Sequence, residues 1–370
     1  MNNIGILTFC DSYNYGAALQ AFATYHFLTS IGYNCKFIDY RNQNEAKLYE
    51  CFKYIRKDSA LTNIKRNIKN IILGGTKNGH TGFDAFYSLL PRTKKYVRAN
   101  ILEFDNENKD IDCVLIGSDQ VWNPEIVGGE IDGVFWGNFT SKMKISMSSS
   151  CGSYIYNDSE WTQLLDLYNS FKSLSVREEF AKKQLLDRGI NKKITVLPDP
   201  TLLLNKKEWN NWLDKYSTRP VPGEDYLVVY MVKTKYEKCY GYINYLKNKF
   251  SCKVTLINIY NINKDGVDYY YRDINPFDFI NLISRATCVV TDSFHAVLYS
   301  LIYDRDFYYI NNGNAKRVVD LLNHYSVLER TVEDFDKLKR LSEDGSHKYD
   351  IDVRYDEDFK KARSYIQNAI

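Results

Sequence analysis

An α/β fold of two Rossmann-like domains facing a cleft is what this sequence predicts, and three observations carry the expectation. Short apolar β-forming runs alternate with helix-length amphipathic runs from the first residues onward, the pattern of a doubly wound sheet. Several of those strands end in small polar residues directly before a helix, the place where open α/β sheets build their sites. The chain has 370 residues, more than one domain usually holds.

In chain order, residues 4–8 read as a strand, 17–31 as a helix and 35–39 as a strand, with Gly32 supplying the break between the last two. A mostly helical, basic segment over 44–101 then interrupts the alternation, and Gly74, Gly75 and Gly79 mark a loop within it. Strands are expected again at 113–116, 144–147, 173–176 and 194–197, with a helix over 178–186. Residues 205–225 read as a helix followed by a linker, because Pro220, Pro222 and Gly223 close the stretch. A second alternating unit follows, with strands at 226–230, 253–257, 288–290 and 307–310 and helices over 236–250 and 317–323. The expected domains are 1–215 and 226–345, and an amphipathic helix over 356–370 is expected to cross back onto the first.

Composition narrows the function classes. Hydrophobic residues make up 44% and charged residues 26%, as in ordinary globular proteins. Forty-nine basic and 46 acidic residues leave a net charge of +3 with no long run of one sign, which argues against a nucleic-acid binder. No apolar stretch approaches the ~20 residues of a membrane span. The first residues, Met1 to Leu7, read as a strand and not as a signal peptide. Eight cysteines form no CxxC pair, so buried free thiols in a reducing, cytoplasmic setting are expected. Five scattered histidines show no metal-ligand spacing, and no metal is expected. The 31 tyrosines fit a compositional bias; rings that stack on sugars are the sharper alternative.

The run Cys288-Val289-Val290-Thr291-Asp292-Ser293-Phe294-His295 carries the most chemistry. An apolar strand passes through a polar turn into a helix, whose N-terminus suits an anionic ligand, and His295 stands at that mouth with a proton to give or take. An echo of the same design lies at Cys113-Val114-Leu115-Ile116-Gly117-Ser118-Asp119-Gln120. There Ser118, Asp119, Gln120, Trp122 and Asn123 cluster after a strand, as recognition of sugar hydroxyls or a structured polar loop requires. Asn14 and Gly16 precede the first helix as either a ligand-facing turn or a cap. Arg177 ends a strand, where it would pair with phosphate or carboxylate, or with a neighbouring glutamate. Asp199, between two prolines, either holds its turn or meets substrate.

Taken together and in order, these motifs resemble the polysaccharide pyruvyl transferase family. The matching residues are Tyr13-Asn14-Tyr15-Gly16-Ala17, Gly117-Ser118-Asp119-Gln120-Val121-Trp122-Asn123, Ser175-Val176-Arg177-Glu178, Asp199-Pro200-Thr201 and Thr291-Asp292-Ser293-Phe294-His295-Ala296. The resemblance covers about residues 5–330 and implies a fold similar to that of the two-domain GT-B glycosyltransferases. It also implies transfer of a pyruvyl group from phosphoenolpyruvate to a sugar, as a ketal bridging two hydroxyls. By resemblance His295 is the catalytic histidine and Arg177 the donor-anion arginine; on the chemistry of the residue types alone, Asp119 or Asp292 is a base toward a hydroxyl. Many members carry an arginine two residues before that histidine, and here the position is Ser293. Lys233, Lys316 or Arg317 is then expected to supply the missing positive charge.

The chemistry fits these residue types. Cations and a helix N-terminus hold a phosphate and a carboxylate, and a histidinium delivers a proton to the methylene carbon. Phosphoenolpyruvate serves as donor substrate, and no cofactor is expected. Asn14, Gly16, Ser118, Gln120, Trp122 and Asn123 are the expected acceptor-binding set. The acceptor is a bacterial surface or capsular saccharide, free or lipid-linked. A lipid-linked acceptor would place the protein at the inner face of the membrane, where the basic segment 53–66 could assist, although a solvated helix face is the favoured reading of that segment. Two alternatives remain open: a GT-B glycosyltransferase using a nucleotide sugar, and a non-catalytic saccharide-binding homologue.

Overall fold

A computed structural model describes residues 2–42, 81–258, 263–311, 316–344 and 351–370. The expected loop glycines 74, 75 and 79 and the basic segment 53–66 lie outside the described residues. The chain forms two compact units, one of Met1–Tyr49, Tyr87–Leu204 and Val353–Ile370, the other of Glu50–Phe86 and Asn205–Asp352.

In the first unit, β1 (Asn3–Leu7), β2 (Asn34–Phe37), β3 (Cys113–Ile116) and β4 (Met143–Ser146) form a parallel sheet in the order β2-β1-β3-β4. The short parallel pair β5 (Leu174–Val176) and β6 (Ile194–Val196) continues it, because bridges Ile145 to Ser173 and Ser149 to Val176 join β5 to the β4 side. β3 and β5 are buried along their whole length, as a parallel sheet between helices requires, whereas β2 at the sheet edge alternates, with Asn34 exposed and Cys35 and Phe37 buried. The crossover helices are α1 (Tyr15–Ser30), α2 (Asp158–Asn169) and α3 (Glu179–Asp187). The C-terminal helix Ile351–Ala369 belongs to this unit: Phe359 meets the Phe27 ring edge-on at 5.3 Å, and the Tyr365 hydroxyl donates to the Ser146 carbonyl at 2.7 Å. Its buried residues Ala362, Ile366 and Ala369 recur at helical spacing, so one apolar stripe explains the docking.

The second unit is one parallel sheet of β7 (Tyr226–Tyr230), β8 (Lys253–Asn258), β9 (Tyr269–Arg272), β10 (Cys288–Thr291), β11 (Asp306–Ile310) and β12 (Thr331–Val332). Its order, β12-β11-β10-β7-β8-β9, reverses between β7 and β10, the topology of a Rossmann sheet with its switch point there. Its helices are α4 (Lys206–Tyr216), α5 (Tyr236–Lys249), α6 (Pro276–Arg285), α7 (Phe294–Ile302), α8 (Lys316–His324) and α9 (Phe335–Glu343).

Three expectations change. The division falls after Leu204, not at 215: α4 has an apolar face that packs within the second unit, with Trp209 against Tyr299 at 5.3 Å and Tyr216 stacked on Phe277 at 5.4 Å. The helical reading of 44–101 fails over its last part, where Thr81–Tyr87 is helical but Pro91 breaks the run. Arg92 and Tyr96 instead bridge Phe37 and Tyr40 as extended chain. The second unit also contains β9, α6, β12 and α9, which the sequence reading did not separate. Half-exposed Tyr-rich β9 and two-residue β12 have no clear strand periodicity.

Candidate functional site

Two clusters of chemistry-bearing residues lie at the carboxyl ends of parallel strands, one in each unit. In the first unit the strand ends are joined by serines. The Ser149 hydroxyl donates to the Ile116 carbonyl at 2.8 Å, Ser148 to Pro198 at 2.7 Å and Ser146 to Ser175 at 2.9 Å. Gly117 follows β3 with φ +110°, and a Cβ there would lie 2.4 Å from the Met147 carbonyl oxygen, so only glycine fits.

Arg177 extends from the end of β5 into this rim with a side chain only 3% exposed. Its Nε donates to Glu178 Oε1 at 3.0 Å and an Nη to Asp199 Oδ2 at 2.7 Å, while Asp119 Oδ1 lies 3.8 Å from the other Nη. Burial works against the charge, but Glu178, Asp199 and Asp119 outweigh it and hold the guanidinium pKa above its ordinary value. Glu178 Oε1 also accepts from the Ser150 hydroxyl at 2.7 Å, and Asp199 accepts from the Thr201 hydroxyl at 2.7 Å. This buried ionic network fixes β3, β4 and β5 ends together. The Arg177 guanidinium thus meets three protein carboxylates at the end of β5.

The second cluster stands at the switch point. Thr291, last in β10, donates its hydroxyl to the Tyr230 carbonyl at 2.5 Å and accepts from the Ser293 amide at 3.0 Å. Asp292 reaches across to the turn after β7. Its carboxylate accepts the amides of Val232 at 2.6 Å, Lys233 at 3.0 Å and Thr234 at 2.6 Å. These are the turn amides that a dinucleotide pyrophosphate takes in a Rossmann fold, and here an internal carboxylate occupies them. Ser293 caps α7 by accepting the Ala296 amide at 3.4 Å. His295 lies in the first turn of α7, 8% exposed, with its ring edge-on to Phe294 at 5.1 Å. The Arg317 guanidinium lies over the other partner of that pair, 5.5 Å from the Phe294 ring.

The structure thus sorts the expected residues. Asp292, Ser293, His295, Lys233 and Arg317 gather at one strand-end rim; Lys233 is anchored by its amide with its side chain exposed, and the Lys316 side chain lies outside the described residues. Asp119, Gln120, Asn123 and Arg177 gather at the other. Several of the expected residues have partners within their own unit. Asp292 clamps the backbone, its two oxygens taking three amides. Trp122 is core: it is 1% exposed, donates to the Phe135 carbonyl at 2.9 Å and packs on Trp136, Tyr168 and Phe171. Ser118 is fully buried and donates to the Ser148 carbonyl at 3.1 Å. Asn14 is the α1 cap, accepting the Gly16 and Ala17 amides at 2.9 and 3.2 Å, and Gly16 is buried in that first turn. Asn123 donates to Gln120 Oε1 at 3.0 Å, and Asp119 Oδ1 accepts the Gln120 amide at 2.8 Å.

Sequence reasoning missed Ser150, although Ser148-Ser149-Ser150 is a polar run directly after a strand, the same signal used elsewhere. It also missed Tyr309 near the end of β11. Burial and then the Asp292 charge push that phenol up to about 12, with Arg317 pulling it partly back, which places the hydroxyl within the field of both. Among the described residues no group of three or more His, Cys, Asp or Glu is placed to hold a metal ion, and no helix is long and apolar enough to cross a membrane. The seven described cysteines are buried free thiols.

Two Rossmann-like units with polar strand-end rims define a GT-B-like α/β protein. UDP-N-acetylglucosamine 2-epimerase from Rickettsia bellii is similar in fold, with a TM-score of 0.54 and 10% identity over 100% of this chain and 96% of that one. The corresponding enzyme from Methanocaldococcus jannaschii has a TM-score of 0.54 and 11% identity, covering 100% and 99%. The one from Neisseria meningitidis has a TM-score of 0.50 and 11% identity, covering 100% and 97%. At such identities the likeness is one of fold. No curated protein matches the sequence. The family model of polysaccharide pyruvyl transferase matches residues 14–314, and the chain belongs to that family.

Proposed function

We propose that the protein transfers a pyruvyl group from phosphoenolpyruvate to two hydroxyls of a saccharide, forming a ketal and releasing phosphate. The observation that carries this reading is His295 in the first turn of α7, with the Arg317 guanidinium over the ring of the preceding Phe294, in a chain of the pyruvyl transferase family. The imidazolium protonates the methylene carbon of the donor, and positive charge develops on the neighbouring carbon. One sugar hydroxyl attacks that carbon and loses its proton; phosphate leaves, and the second hydroxyl closes the ketal. Arg317 and the α7 amides hold the donor's anionic groups, taking the place that an arginine at 293 would fill. Asp292 keeps the facing turn in place without touching the donor. The acceptor is a bacterial surface or capsular glycan, and neither a metal nor a redox cofactor enters these steps.

Thermal unfolding with added ligands tests the donor. Phosphoenolpyruvate raises the midpoint of the wild-type chain and UDP leaves it unchanged, while Arg317→Ala loses the phosphoenolpyruvate shift. Stabilisation by UDP and none by phosphoenolpyruvate would reverse the assignment in favour of a nucleotide-sugar enzyme.

A further inference from the structure

The second unit has a cavity of about 310 Å³ that the chemistry above does not use. It is lined by Tyr236, Glu237, Tyr240, Asn263, Lys264 and Asp265. It lies at the first turns of α5 and in the loop beyond β8, on the same carboxyl rim of the sheet as His295. Strand β7 stands between β8 and β10, so the cavity is two strand spacings, about 10 Å, along the rim from the strand that leads to His295.

Its walls are fixed by hydrogen bonds. The Tyr236 hydroxyl donates to the Asp265 carbonyl at 3.0 Å. The Lys264 amide donates to the Tyr270 hydroxyl at 2.6 Å, which donates in turn to the Lys264 carbonyl at 2.8 Å. Gly266, with φ +76°, brings the loop against the edge of the Tyr240 ring, where a Cβ would lie 3.2 Å from a ring carbon. Tyr240 is nevertheless 41% exposed, so a face of an otherwise anchored ring is open to solvent.

An open tyrosine ring beside carboxylates and an amide is the lining that takes a sugar: the ring packs on the apolar face and the polar groups meet the hydroxyls. Charge decides against a nucleotide. Lys264 is paired with Glu237, and Asp265 leaves the lining with net charge −1, which repels a pyrophosphate. We infer that this cavity is a saccharide subsite that holds a neutral sugar residue of the acceptor, remote from the residue that receives the pyruvyl group. The inference rests on the glycan being the substrate, and it makes that substrate an oligosaccharide, since one ring does not span the distance to His295.

Saturation-transfer NMR on the full chain, with a panel of neutral tetrasaccharides of galactose, glucose and N-acetylglucosamine, tests it. At least one member binds the wild type. Tyr240→Ala weakens that binding about tenfold, the loss of one ring contact. Tyr240→Phe keeps it, His295→Gln keeps it, and UDP does not compete. The exposed position of Tyr240 lets the alanine variant fold, which its thermal midpoint verifies. Binding that is indifferent to Tyr240→Ala, displaced by UDP, or absent across the panel overturns the subsite. Phosphate release from phosphoenolpyruvate, measured on the same samples, separates the two ideas. Release that persists with Tyr240-independent binding removes the subsite alone, whereas Tyr240-dependent binding with no release removes the donor assignment alone.

Discussion

Replacing Asp292 by asparagine distinguishes a clamp from a base. In the wild type one carboxylate oxygen takes the Val232 amide at 2.6 Å and the other takes those of Lys233 at 3.0 Å and Thr234 at 2.6 Å. Asparagine retains a single acceptor oxygen, so its NH₂ must face at least one backbone donor. A hydrogen bond to a charged group contributes about 1.5–3 kcal/mol, and an unpaired buried donor costs about 1–3 kcal/mol. The remaining bonds keep part of this, which leaves an expected loss of about 2–3 kcal/mol. With a urea slope of about 2–3 kcal/mol/M, the unfolding midpoint of the second unit falls by about 1 M. Turnover falls with it, because the β7 turn and the start of α7 lose their common anchor. A catalytic base would behave in the opposite way, since asparagine is nearly isosteric: stability would hold while turnover disappeared. A midpoint unchanged to within about 0.2 M refutes the clamp.

Two further perturbations test the sorting of the other residues. His26 lies against the Phe22 ring at 4.1 Å, and burial lowers its pKa to about 4. The unfolded chain therefore binds more protons between about pH 6.5 and pH 4. The neutral imidazole's contribution is complete above pH 6.5 and is lost as pH falls toward 4, by about 2 kcal/mol once its partial exposure is discounted. His26→Phe flattens that limb of a stability–pH curve measured by urea titration, and an unchanged limb contradicts the assignment. Trp122→Phe, in a buried aromatic cluster, lowers stability by about 1–2 kcal/mol and leaves the acceptor KM unchanged; a raised KM at unchanged stability would return Trp122 to the binding surface.

Much of the fold was legible because parallel strands buried on both faces leave continuous apolar runs, as in Tyr226–Tyr230 and Cys113–Ile116. The unit boundary was not. The helix Lys206–Tyr216 carries its amphipathic stripe whichever unit buries it, and only tertiary partners such as Tyr299 and Phe277 decide. Both polar runs fall at strand ends, as the sequence pattern predicted, but strand-end polarity does not say which polar group bonds inward. Asn14, Ser118 and Asp292 look alike in sequence whether they face a ligand or backbone amides, because caps and turns use the same residue types as binding loops. Trp122 followed the polar run yet turned into the core, since its ring finds Trp136 and Tyr168 on a different part of the chain. The carboxylates that meet Arg177, two of them distant in sequence, are brought together only by the fold.

The central claim, that His295 delivers a proton to phosphoenolpyruvate during transfer to a glycan, is tested most directly by donor turnover. The purified chain is incubated with phosphoenolpyruvate and neutral oligosaccharides, and released phosphate is compared with pyruvylated glycan found by mass spectrometry. The wild type is expected to yield the two in equal amounts, and His295→Gln to yield neither at an unchanged urea midpoint. A His295→Gln chain that turns over at the wild-type rate would contradict the account.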